Sequence, residues 1–105
     1  MAVSEMVKKL NEAIEKGISR ARVVDFTFYG PDAKSVYLAG DFNAWNTNSH
    51  LMKKGPDGMW RLSVRLPIGR HEYKFCVDGI WSQQLPCSAI TYNTYGTFNC
   101  VIGLN

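Results

Sequence analysis

Trp60-Arg61-Leu62-Ser63-Val64-Arg65-Leu66 is the stretch that decides the fold. Trp60, Leu62, Val64 and Leu66 alternate with Arg61, Ser63 and Arg65, a period of two. Successive side chains of a strand point to opposite faces, so the segment predicts a strand with one face on a core and the other in water. Trp60 is in phase with Leu62 and Val64 and is expected in that core.

The same period appears on either side. Upstream, Val24, Phe26 and Phe28 alternate with Asp25 and Thr27; the turn Gly30-Pro31-Asp32 leads to a second strand, Val36 to Ala39, ended by Gly40. A polar loop, Asp41 to Asn48, carries Phe42 and Trp45, and a short segment, His50 to Lys53, precedes the turn Gly55-Pro56-Asp57-Gly58. Downstream, Pro67-Ile68-Gly69 turns the chain into Glu72 to Val77, with Tyr73, Phe75 and Val77 on one face and Glu72, Lys74 and Cys76 on the other. Asp78-Gly79 is a strong hairpin signal and is followed by Ile80-Trp81. Ser82 to Asn93 reads as a polar, proline-containing connection. Thr97 to Leu104 is the last strand, with Phe98, Cys100 and Ile102 expected inward. Many short strands divided by Gly, Pro and Asp turns predict an all-β, antiparallel β-sandwich.

Residues Ser4 to Ile18 have a different period. Val3, Val7, Leu10 and Ile14 form one helical stripe, Glu12 and Lys16 pair four apart, and Gly17 ends the run. The expected organisation is an amphipathic helix over 1–20 and a sandwich over 21–105. A helix this short is marginal alone, so its stripe must pack on this domain or on a second copy as a homodimer.

Composition narrows the function. The chain has 105 residues, enough for one domain with a modest core. Its net charge is 12 − 9 = +3 with no basic run beyond Lys53-Lys54, which argues against nucleic acid. No signal-peptide pattern follows Met1, and no stretch is apolar enough to cross a bilayer, so a cytoplasmic protein is expected with no membrane partner. Cys76, Cys87 and Cys100 match no zinc or redox spacing and read as three free thiols. Cys76 is expected to point outward and Cys100 inward, so these two cannot pair with each other.

No catalytic constellation stands out. His50 and His71 have no nucleophile or metal ligand near them in sequence, and Asp41, Asp57 and Asp78 sit in turns that favour aspartate for local hydrogen bonding. No metal site or cofactor is implied, and an enzyme is not the expected reading. Trp45 and Trp81 are more informative. Each lies in a loop among amides: Asn43, Asn46 and Asn48 around Trp45, and Gln83-Gln84 after Trp81. Aromatic faces match the apolar C–H face of a sugar ring, and amides match its hydroxyl rim. Periodicity alone leaves two readings open, a cap on the core or a saccharide platform.

Four motifs carry a resemblance. They are Val36-Tyr37-Leu38-Ala39-Gly40-Asp41-Phe42-Asn43-Ala44-Trp45; Gly58-Met59-Trp60; Pro67 to Trp81, containing Glu72-Tyr73-Lys74-Phe75 and Asp78-Gly79-Ile80-Trp81; and Tyr95-Gly96-Thr97-Phe98-Asn99. Together they resemble the glycogen-binding domain of the AMP-activated protein kinase beta subunit and the N-terminal modules of isoamylases and branching enzymes. The resemblance runs from about Val23 to Leu104. It implies an immunoglobulin-like sandwich that binds α-1,4-glucan: glycogen, starch, maltooligosaccharide or cyclodextrin. It also implies that Trp45 and Trp81 stack on glucose, Lys74 and Asn99 hydrogen-bond it, Tyr95 projects into the curve of the glucan, and Thr97 assists. Tyr95 stands where the mammalian kinase domain has leucine, and Ser82 to Cys87 departs from the Asp-Pro common in that loop. The alternative is an interaction module that self-associates through the N-terminal stripe.

Overall fold

The computed structural model describes residues 20–105. The helix expected over Ser4 to Ile18, and self-association through it, lie outside the described residues. Two antiparallel sheets face each other. The first has three strands in the order β1 (Ala21–Tyr29), β4 (Met59–Pro67), β3 (Lys53–Lys54). The second runs β2 (Val36–Gly40), β5 (Gly69–Val77), β8 (Phe98–Leu104), β7 (Ile90–Tyr92), with β6 (Ile80–Trp81) also paired to β5.

The core follows the period-two pattern. Phe26 and Phe28 of β1, Trp60 and Leu66 of β4, Val36 and Leu38 of β2 and Tyr73 and Phe75 of β5 are buried together. Phe26 meets Tyr73 edge to face at 4.8 Å, and Phe28 meets Phe75 at 5.1 Å. Burying each such side chain contributes about 1.5–3 kcal/mol. Trp60 is core, and its indole N–H is satisfied by Gly30 O at 2.8 Å.

The β2 end is built for close approach. A Cβ on Gly40 would lie 2.5 Å from the backbone oxygen of Glu72, so only glycine lets β2 come this near β5 before the chain turns away. The turn Asp78-Gly79 joins β5 to β6 with both residues at positive φ, 51° and 82°. Asp78 Oδ1 accepts from the N–H groups of Lys34 and Ser35, both at 2.8 Å, which ties that turn to the start of β2.

Four expectations are corrected. The connection Ser82 to Asn93 contains a strand, β7, paired to β8 through Ile90↔Cys100, Thr91↔Asn99 and Tyr92↔Phe98. Trp81, expected in a loop, lies in the two-residue strand β6, which pairs with β5 through Cys76↔Trp81 and Val77↔Ile80. Phe98, expected inward, is 44% exposed: it has the core-side parity, but the three-stranded sheet is too narrow to cover that end of β8. The cysteines are not three free thiols. Cys87 packs against the core from the loop before β7 and is disulfide-bonded to the fully buried Cys100. Cys76 remains free; it lies on the face away from the core, as its parity requires, yet is buried there. Burial pushes its thiol pKa up.

Candidate glucan-binding site

The outer face of the five-stranded sheet carries the site. Cross-strand partners share a face, so Tyr37, Cys76 and Trp81 stand side by side, as do Ala39 and Lys74. Trp81 ends the short hairpin strand β6, held by a hydrogen bond from Ser82 N to Phe75 O at 2.9 Å. Trp45 follows a single 3-10 turn, Asp41–Asn43, at the end of β2. Ala44 and Trp45 both adopt left-handed backbone, φ 54° and 57°, and the Trp45 N–H closes on Gly40 O at 2.8 Å. Consecutive non-glycine residues in that region cost conformational energy, and such strain gathers at binding and catalytic sites.

The loop is locked from beneath. Asn43 Oδ1 accepts from Gly40 N at 2.9 Å, while its amide donates to Leu38 O at 3.1 Å and approaches Ser49 and His50. Asn43 is therefore spent on the loop, not offered to a ligand. Asp41 Oδ2 accepts from Glu72 N at 2.9 Å, and its Oδ1 lies 3.2 Å from Nδ1 of the buried His71, whose Nε2 donates to Pro67 O at 2.8 Å. Asp41, Asp57 and Asp78 all serve turns and strand ends, as read from the sequence.

These anchors bring the indoles together. Trp45 and Trp81 meet edge to face, ring centroids 6.3 Å apart and planes at 75°. In that arrangement each ring keeps a face the other does not cover. Trp81 is 39% exposed and Trp45 half-buried, so neither is a core residue.

The polar side of the site is one connected network. Asn93 Nδ2 donates to Thr97 Oγ1 at 2.7 Å and to Asn99 Oδ1 at 3.0 Å. Its Oδ1 accepts from the N–H groups of Tyr95 and Thr97, both at 3.0 Å, shaping the turn that lifts Tyr95 out to 90% exposure. Lys74 Nζ donates to Thr97 Oγ1 at 3.2 Å. Asn99 Nδ2 donates to Glu72 Oε1 at 3.2 Å, and Arg70 holds the other Glu72 oxygen at 2.7 Å. The hydrogen bonds from Arg70 and Asn99 keep the Glu72 carboxyl below the usual carboxylate range. Lys74 is only 8% exposed: its stem is covered, and the hydroxyl of Thr97 is its partner.

All six residues read from the sequence, Trp45, Lys74, Trp81, Tyr95, Thr97 and Asn99, line one open depression of about 1430 Å³. Sequence reasoning missed two that organise it, Glu72 and Asn93. Asn93 had a local signal, an asparagine three residues before Gly96, the pattern of a side-chain-capped turn.

The sequence matches the family described as the glycogen recognition site of AMP-activated protein kinase over residues 23–105. The chain belongs to that family. Its relatives include the rice protein FLOURY ENDOSPERM 6, chloroplastic, from Oryza sativa subsp. japonica, 39% identical over 79 residues, which are 75% of this chain and 14% of the rice protein. The mouse 5'-AMP-activated protein kinase subunit beta-1 is 37% identical over 91 residues, 87% of this chain and 32% of the subunit. The 1,4-alpha-glucan branching enzyme GlgB of Rhodopseudomonas palustris is 40% identical over 63 residues, 60% of this chain and 9% of the enzyme. The chain thus spans less than a third of each of these relatives. As a member of the glycogen-recognition family it is a carbohydrate-binding module.

Proposed function

We propose that this chain binds α-1,4-glucan on the outer face of an immunoglobulin-like sandwich formed by residues 21–105, stacking glucose units on Trp45 and Trp81. The observation that carries this reading is the indole pair. Trp45, from the loop after β2, and Trp81, from β6, meet with their ring planes at 75° and both line one open depression. A curved polymer of apolar-faced rings fits two planes set at an angle better than one flat plane.

The surrounding groups suit the rim of each ring. The ammonium of Lys74 has a hydroxyl and no carboxylate as its partner among the described residues, so it can donate further to sugar oxygens. Asn99 and Thr97 present amide and hydroxyl groups that Asn93 and Glu72 hold in one orientation, which lowers the ordering cost of binding. Tyr95 offers an exposed ring at the hairpin tip, available to enter the concave side of the glucan. Glycogen, starch-type chains, maltooligosaccharides and cyclodextrins share this chemistry. None of the six groups is asked to make or break a bond.

Affinity electrophoresis tests the reading. The chain should be retarded in a native gel containing glycogen or soluble starch, and Lys74→Ala should restore most of its mobility. Equal mobility with and without polysaccharide would refute it.

A further inference from the structure

The depression does not end at the six residues. Tyr92, the last residue of edge strand β7, also lines it. Tyr92 is 68% exposed and rests edge to face on Phe98, centroids 5.2 Å apart and planes at 72°. Its hydroxyl reaches the hairpin tip, where a Cβ placed on Gly96 would lie 3.7 Å from it. Tyr95 stands at that same tip.

An exposed edge strand is ordinarily blunted with charges or proline. Ile90-Thr91-Tyr92 has neither, and Ile90, Tyr92 and Phe98 together leave an apolar surface in water. Contiguous exposed apolar surface marks a place where something binds. Tyr92 and its cross-strand partner Phe98 have core-side parity at the uncovered edge of the sheet, and of Ile90, Tyr92 and Phe98 it is Tyr92 that also lines the depression with Trp45 and Trp81, beside Asn93, Thr94 and Tyr95.

We propose that Tyr92, braced by Phe98, is a further stacking platform for glucose units beyond those held by Trp45 and Trp81, and that it gives the module a preference for longer chains. The inference rests on the glucan-binding reading above. It assigns Tyr92 to part of the ligand that a short oligosaccharide does not reach. Stacking needs the ring and not the hydroxyl, so phenylalanine should substitute.

The test is calorimetric titration of the full chain, wild type, Tyr92→Ala and Tyr92→Phe, with maltotriose, maltoheptaose and a linear maltodextrin of ten or more units. The expected result is that Tyr92→Ala binds maltotriose within twofold of wild type but loses fivefold or more on the longest chain, while Tyr92→Phe follows wild type throughout. Equal affinity of Tyr92→Ala and wild type at every length overturns the proposal. A loss of the same size at every length also overturns it, assigning Tyr92 a merely structural part. Unchanged glucan affinity together with a changed mass in sedimentation overturns it in favour of a protein contact. A wild type that binds none of the three sugars fails the underlying reading instead, which is a separate result from a missing length dependence.

Discussion

Asn93 donates to Thr97 Oγ1 and to Asn99 Oδ1 from one amide nitrogen, at 2.7 and 3.0 Å. A single side chain just after β7 thereby orients Thr97, in the turn before β8, and Asn99, on β8. Its carbonyl oxygen takes the N–H groups of Tyr95 and Thr97, so the same residue also sets the turn that carries Tyr95.

Replacing Asn93 by alanine should therefore weaken binding without removing any of the six residues. Leaving Thr97 and Asn99 without this donor costs about 1–2 kcal/mol, an affinity loss of roughly 5- to 30-fold. Calorimetry with maltoheptaose measures the loss, and far-ultraviolet circular dichroism should show the sheet retained. Undiminished affinity would mean the turn does not depend on Asn93.

The disulfide makes a prediction about stability. Cys87 and Cys100 are separated by 13 residues, and closing a loop of that size stabilises the fold by about 3 kcal/mol in the chain-entropy account. Urea unfolding of the wild type should shift to lower denaturant on adding reductant, while Cys87→Ser should unfold early and ignore reductant. Without reductant, a thiol-reactive dye should find one thiol in the unfolded chain and react slowly with the native one, because Cys76 is buried. Three thiols in the unfolded, unreduced chain would contradict the bond.

Acid should cost stability through two carboxylates. Arg61 and the Met59 N–H hold Asp57 down to about 2, and Arg70 and Asn99 hold Glu72 below its usual range. Both groups favour the ionised form in the folded state. Their contribution is complete above the ordinary carboxylate range and is lost as pH falls from there toward 2. Melting temperatures measured from pH 6 to pH 2 should fall on acidification, and Glu72→Gln should flatten part of the slope. Protonating Glu72 also removes the charge that strengthens its hydrogen bond from Asn99, so glucan affinity should fall in the same window. Affinity and melting temperature that stay constant from pH 6 to pH 2 would contradict both statements.

Much of this architecture was legible from period-two runs. β1, β4 and β5 each bury or half-bury the residues whose spacing marked them, because one face of each strand meets the opposite sheet, although β5 also buries Lys74 and Cys76 on its outer face. Lys74, Thr97 and Asn99 fell on the outer parity for the same reason, which brought three of the six site residues to one face. What stayed hidden depends on register and on neighbours. Glu72 and Asn93 act through partners 27 and 6 residues away, and those distances follow from how β5, β7 and β8 align. β7 is three residues inside a polar connection, too short for a period. Cys87 meets Cys100 from an irregular loop that no spacing rule constrains. Phe98 had the right parity but no strand above it, and parity cannot tell how wide the opposing sheet is.

The central claim is that Trp45 and Trp81 form the floor on which glucose stacks. The most direct measurement is calorimetric titration of wild type, Trp45→Ala and Trp81→Ala with β-cyclodextrin, with circular dichroism confirming that each variant is folded. The account predicts saturable binding by wild type and at least a tenfold loss, about 1.4 kcal/mol, in each variant. A wild type that shows no heat of binding at millimolar ligand, or variants that bind as tightly as wild type, would contradict it.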